Sequence, residues 1–271
     1  MIRLLKIELN KMLYSKVFWI IIGLYVLLIV PIAFQLEDMI GGFSMSTNTN
    51  GQEASQPSMG SMLVSGNSIY KFPAVWHYIS YLASWFKLLL AIILIINVTN
   101  EYSYKTLRQN IIDGMSKWEV IWAKELVIVL LSLFTFLIVI ILSLILGINS
   151  DDVSIFNGFS IVFAYLFSLL FYLNFAYFLC SWLKRSGFVI GILFLYTLVI
   201  ENLISFKLPE SISQYLPMNL IDSMVPNPVS RLLGQDVVYD FSITYIGVSI
   251  VYIALFIALN HWMLKKGHAG K

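Results

Sequence analysis

The sequence predicts an all-α, polytopic membrane protein, and three observations predict it. Of its 271 residues, 59% are hydrophobic and only 12% charged, with a mean hydropathy of +0.83, whereas soluble domains carry roughly 25% charged residues. Six apolar runs, each about twenty residues long, can cross a hydrocarbon core of about 30 Å as helices rising about 1.5 Å per residue. Basic residues gather in alternate connections between those runs, as the positive-inside rule requires. No interval outside the runs is long enough to bury a core of its own, so residues 1–271 read as one membrane domain.

The first sixteen residues place Leu4, Leu5, Leu9, Met12 and Leu13 at helical spacing, with Lys6, Asn10 and Lys16 largely on other faces. That pattern predicts a helix lying in the headgroup plane. Their charges, and the lack of a small-residue cleavage site after the apolar run, argue against a removable signal peptide. Residues 17–36 are uncharged and form the first span, with Pro31 near its far end, where a kink is tolerable. Residues 37–75 turn rich in Gly, Ser, Thr, Asn and Met without periodicity and read as a flexible outer loop.

Residues 76–99 form the second span and carry Lys87 near its middle. A central lysine costs about 2.5–3.5 kcal/mol on insertion scales, so it turns toward protein or water, or else snorkels to an interface. Spans three to six follow at about residues 125–147, 158–183, 187–206 and 241–264. Glu201 lies toward the far end of the fifth and is a candidate intramembrane partner for Lys87. Between spans five and six, Pro209, Pro217, Pro226 and Pro228 break the chain into fragments, SISQYL, NLIDSM and VSRLL, too short to span a bilayer; they predict short outer helices. Thirteen basic residues, Lys124 among them, fall on the side of the two termini and three on the other, which places both termini in the cytoplasm.

Several chemistries find no support. There is no G-x-x-x-x-G-K-[ST] phosphate loop, no H-E-x-x-H and no G-x-S-x-G, so neither nucleotide binding by that loop nor hydrolase chemistry is indicated, and no cofactor or metal is expected. Cys180 is the sole cysteine and reads as packing. His77, His261 and His268 lie near span boundaries, far apart in sequence, and read as interfacial or tail residues. The basic groups follow topology, so nucleic acid is not a partner.

The most structured interval is residues 100–124, between spans two and three. Tyr104, Leu107 and Ile111 fall at i, i+3 and i+7 and predict one apolar stripe, leaving Lys105, Arg108 and Gln109 for water or a partner. Asp113 and Gly114 stop that helix. Ser116, Lys117, Trp118 and Glu119 form a capping box, with Met115 and Val120 at the staple positions, so a second helix starts there and runs into span three. The interval therefore reads as helix, break, helix.

In these features the chain resembles the permease subunits of ABC-2 type ATP-binding cassette transporters. The resemblance rests on the basic amphipathic ELNKMLYSKVFW before span one, on EYSYKTLR and DGMSKWEVIWAK after span two, and on six spans with a broken outer segment. It implies that residues 104–112 are a cytoplasmic coupling helix docking into a separate ATPase subunit, with Glu101 at the mouth of that contact. Glu101, Tyr104, Lys105, Leu107, Arg108 and Ile111 are then the coupling residues, and Lys87 and Glu201 the intramembrane charges. It further implies a bacterial plasma membrane location, a second permease subunit, ATP hydrolysis on the partner, and export of a hydrophobic or amphipathic substrate. Two other readings stay open: an ion-coupled carrier using Lys87 and Glu201, and a non-transporting membrane assembly component.

Overall fold

A computed structural model describes residues 2–46, 69–148, 155–228 and 243–266, and the described residues form helices and turns without a strand. In order these are α1 (Ile2–Leu13), α2 (Lys16–Ser46), α3 (Ala74–Trp85), α4 (Lys87–Ser103), α5 (Thr106–Ile112), α6 (Lys117–Leu146), α7 (Ser160–Leu183) and α8 (Ser186–Leu195). A π-helical turn (Tyr196–Ile200) leads into α9 (Glu201–Lys207), followed by α10 (Glu210–Ser213), α11 (Pro217–Met224) and α12 (Ile243–Lys266). Five stretches are long and apolar enough to cross a membrane: Lys16–Leu36, Lys117–Leu146, Ser160–Leu183, Ser186–Lys207 and Ile243–Lys265. The pair α3 and α4 also passes that test if taken together, but it bends by 43°.

The bundle is built around α7, which packs against α3, α4, α6, α8, α11 and α12. A helix that is hydrophobic all round is a buried helix, and α7 turns Tyr165, Phe171, Tyr172, Leu173 and Tyr177 inward on successive faces. Three of its polar side chains donate to backbone carbonyls one turn earlier. Ser168 Oγ donates to Tyr165 O at 2.8 Å, Ser181 Oγ to Tyr177 O at 3.3 Å and Asn174 Nδ2 to Leu170 O at 3.0 Å, which avoids most of the cost of a bare polar group away from water. The outer helices keep large apolar side chains exposed, among them Ile20, Leu27, Leu198, Leu203 and Val251. Such a surface suits lipid rather than water.

Several boundaries differ from those predicted. Helix α2 continues past residue 36 to Ser46, so residues 37–46 of the expected loop are helical, residues 47–68 lie outside the described set, and α3 begins at Ala74. Propagating an existing helix costs far less than starting one; the composition change at Glu37 ends the apolar stretch, not the helix. Pro31 sits inside α2. The second span is not one helix, because Phe86 interrupts it and Lys87 becomes the first residue of α4. The fifth is interrupted by the π-helical turn. Of the outer fragments, SISQ and NLIDSM fall in the α10 and α11 region, and VSRLL, like Asp151, Asp152 and His268, lies outside the described residues.

Candidate functional site

Three span ends, those of α4, α6 and α12, converge on α5, and local sequence dictates how. Lys105 takes a left-handed conformation (φ 58°) between α4 and α5. Gly114 (φ +103°) ends the turn after α5, where glycine meets no steric penalty, while Met115 N donates to Asn110 O at 3.0 Å. The predicted capping box is formed on both sides: Glu119 N donates to Ser116 Oγ at 3.2 Å and Ser116 N to Glu119 Oε2 at 2.8 Å. Helix, break, helix is therefore what the chain builds.

The predicted apolar stripe is redistributed. Leu107 is buried with Val120, Ile121 and Leu264, and Ile111, Met115 and Ile257 pack on that cluster. Tyr104 precedes α5 and is 76% exposed; the left-handed residue at 105 resets the helical register, so spacing from Tyr104 no longer counts along one helix. Leu107 and Ile111 thus hold α5 to the bundle. The exposed residues of this segment include Tyr104, Lys105, Arg108, Gln109 and Ile112, the last 83% exposed.

Glu101, expected at the mouth of a partner contact, is instead buried. It accepts from Lys124 Nζ at 2.5 Å and from Lys11, and Lys124 also donates to Glu8 at 2.6 Å. Two carboxylates and two ammonium groups from α1, α4 and α6 thereby compensate one another. Charge counting treated Lys124 as one more surface cation. The clue is its position beside Glu125 at the edge of a long uncharged run, where a helix entering the bundle carries its last charged residues inward.

At the other side of the bundle, Lys87 and Glu201 line one cavity of about 580 Å³ with Tyr81, Tyr172, Asn219 and Asp222. They do not form a direct ion pair. Lys87 Nζ lies 3.6 Å from Asp222 and 5.3 Å from the centre of the Tyr172 ring. Glu201 Oε1 accepts from the backbone N–H groups of Met218 and Asn219, both at 2.7 Å. Two free N–H groups at the start of a helix satisfy one oxygen of this buried carboxylate without a cation. Asp222 escaped sequence reasoning because it sits in an outer fragment with no span of its own.

No protein-family model and no curated protein matches this chain. Its reading rests on its own geometry. His77 Nε2 lies 2.7 Å from Pro226 O, His261 stacks on Trp118 with ring centres 4.0 Å apart, and Cys180 is buried in α7.

Proposed function

We propose that this chain is the permease subunit of an ATP-driven ABC-2 type transporter, crossing a bacterial plasma membrane six times with both termini cytoplasmic. The observation that carries this reading is α5: a short helix between two spans, stopped at both ends, its inner side packed on α6 and α12, with Ile112 and the preceding Tyr104 exposed. A simple connecting loop needs none of this. The α3–α4 pair supplies the sixth crossing in this reading, and the excess of basic residues on the side of the termini supports the orientation.

ATP binds and is hydrolysed on a partner subunit, and the chain itself performs no chemistry. Closure of the partner displaces α5. Leu107 conveys that displacement to α6 and α12, and the Glu101–Lys124–Glu8 contacts convey it to α4 and α1. Work is delivered because the partner contacts two arrangements of the bundle unequally. The cargo is hydrophobic or amphipathic, and two permease subunits form the conduit.

The test is co-purification with a Walker-motif ATPase. Changing Tyr104→Ala and Ile112→Ala together alters exposed side chains only, so loss of the ATPase with an intact membrane domain is expected. Retention of the ATPase would overturn the coupling assignment. One observation favours a second reading, an ion-coupled carrier: Lys87, Asp222 and Glu201 gather at one cavity. That reading requires gradient-driven transport by the purified chain alone in liposomes.

A further inference from the structure

A cavity of about 750 Å³ opens on the inward side of α5, between the ends of α4, α7 and α12. Four cationic side chains line it, Lys105 and Arg108 from one side and Lys184 and Arg185 from the other. Among the described residues, none of the four forms an ion pair. The only carboxylate in the lining is Glu101, already held by Lys11 and Lys124. The cavity therefore concentrates positive charge that the protein does not itself neutralise. Leu183 and Met263 make its apolar wall, and the hydroxyl groups of Ser103 and Ser181 lie within it.

Backbone conformation gives a second, independent observation. Among the described residues, Lys105 and Lys184 are the two non-glycine residues with positive φ, at 58° and 57°, and both line this cavity. Lys184 caps the end of α7, and Lys105 directly follows Tyr104, the residue that caps the end of α4. Glycine is the residue that adopts this conformation freely, and L side chains usually avoid it. Strained positions of this kind gather where side chains are used. Orientation by positive charge explains why this face is basic; it does not explain why four cations converge without a carboxylate partner, or why lysine stands twice where glycine is easier.

We infer that this cavity binds the phosphate headgroup of an anionic phospholipid. The ligand is anionic because the lining carries unpaired cations, and a phosphate because Arg108 and Arg185 offer planar forks of N–H donors suited to its oxygens. It is a lipid because the recess lies where apolar helices end and its wall continues into apolar side chains, with exposed Trp182 next to Leu183. Basic recesses between membrane helices are a known setting for acidic headgroups. A headgroup seated there bridges α5 to the α7–α8 turn and stiffens the segment from behind. The inference does not depend on an ATPase partner.

The test uses the full chain in micelles of a zwitterionic detergent, with phosphatidylglycerol or phosphatidylcholine added and bound lipid counted by native mass spectrometry. Phosphatidylglycerol is expected to bind at least tenfold more tightly than phosphatidylcholine. Each of Lys105→Gln, Arg108→Gln, Lys184→Gln and Arg185→Gln should weaken it about fivefold, whereas Lys16→Gln, outside the cavity, should not. Lys105→Gly and Lys184→Gly ease the backbone while removing charge, so they should lose lipid without losing thermal stability; this separates binding from folding. Unchanged lipid binding in the glutamine series, or an equal loss in Lys16→Gln, would overturn the site. Soluble glycerol 3-phosphate binding as tightly as phosphatidylglycerol would overturn its assignment to lipid.

Discussion

Glu101 and Lys124 meet at 2.5 Å with both side chains only 2% exposed, joining the end of α4 to the first turns of α6. Lys124 also reaches Glu8 of α1. Breaking a buried pair by removing one partner typically costs about 3–5 kcal/mol, because the other charge stays buried without compensation. Lys124→Met is therefore expected to lower the thermal midpoint in detergent markedly. Combining it with Glu101→Gln leaves Glu8 and Lys11 balanced and should recover part of the loss. Strictly additive losses would show that the two residues are not coupled.

Gly114 and Gly158 both have positive φ, yet their surroundings differ. A Cβ on Gly114 meets nothing within 4 Å, whereas one on Gly158 lies 2.6 Å from Pro73 Cβ. Gly114→Ala carries only the backbone penalty, of about 1 kcal/mol. Gly158→Ala adds a clash with a rigid ring and should destabilise more. Thermal unfolding of the two variants side by side checks the order.

The capping box at the start of α6 satisfies two N–H groups reciprocally. Ser116→Ala should cost about 1 kcal/mol and speed hydrogen exchange at the Glu119 amide, leaving amides deeper in α6 unchanged. Uniform exchange along the helix would mean that the box does not hold this end.

Lys87 faces Asp222 and not Glu201 as a direct ionic partner. Exchanging the charges, Lys87→Asp with Asp222→Lys, should rescue what Lys87→Asp loses, whereas Lys87→Glu with Glu201→Lys should not. The rescue is expected to be modest, since Asp222 is 74% exposed and open pairs are worth about 0–1 kcal/mol. Glu201→Gln keeps an acceptor for the N–H groups of Met218 and Asn219; Glu201→Ala does not, and should loosen α11 more, as read by protease sensitivity of the outer segment.

What could be seen in the sequence was whatever a short window encodes. Apolar length located the membrane-crossing stretches, and the Gly114 stop and the Ser116–Glu119 box were legible because each involves residues within three positions of one another. The break at Phe86 and the π-helical turn left no such trace; hydropathy reports composition, and both interruptions are apolar. The burial of Glu101 and Lys124 was hidden for another reason. It depends on α1, whose Lys11 lies 90 residues upstream of Glu101, closing over them. Leu107 and Ile111 are recognisably apolar, but periodicity shows that a face exists without showing what covers it; in the structure they pack on the cluster with Val120, Ile121 and Leu264.

Helix α7 occupies the middle of the bundle, yet it is the least apolar of the five candidate spans and has the largest buried share. Lipid alone would hold it least well. Its residence in the bilayer is therefore borrowed: α6, made just before it and far more apolar, must wait beside it during synthesis, and α12, made after it, closes the remaining side. Insertion of this chain is then a sequence of guests and hosts, and a chain truncated before α12 should leave α7 the first helix to slip back out.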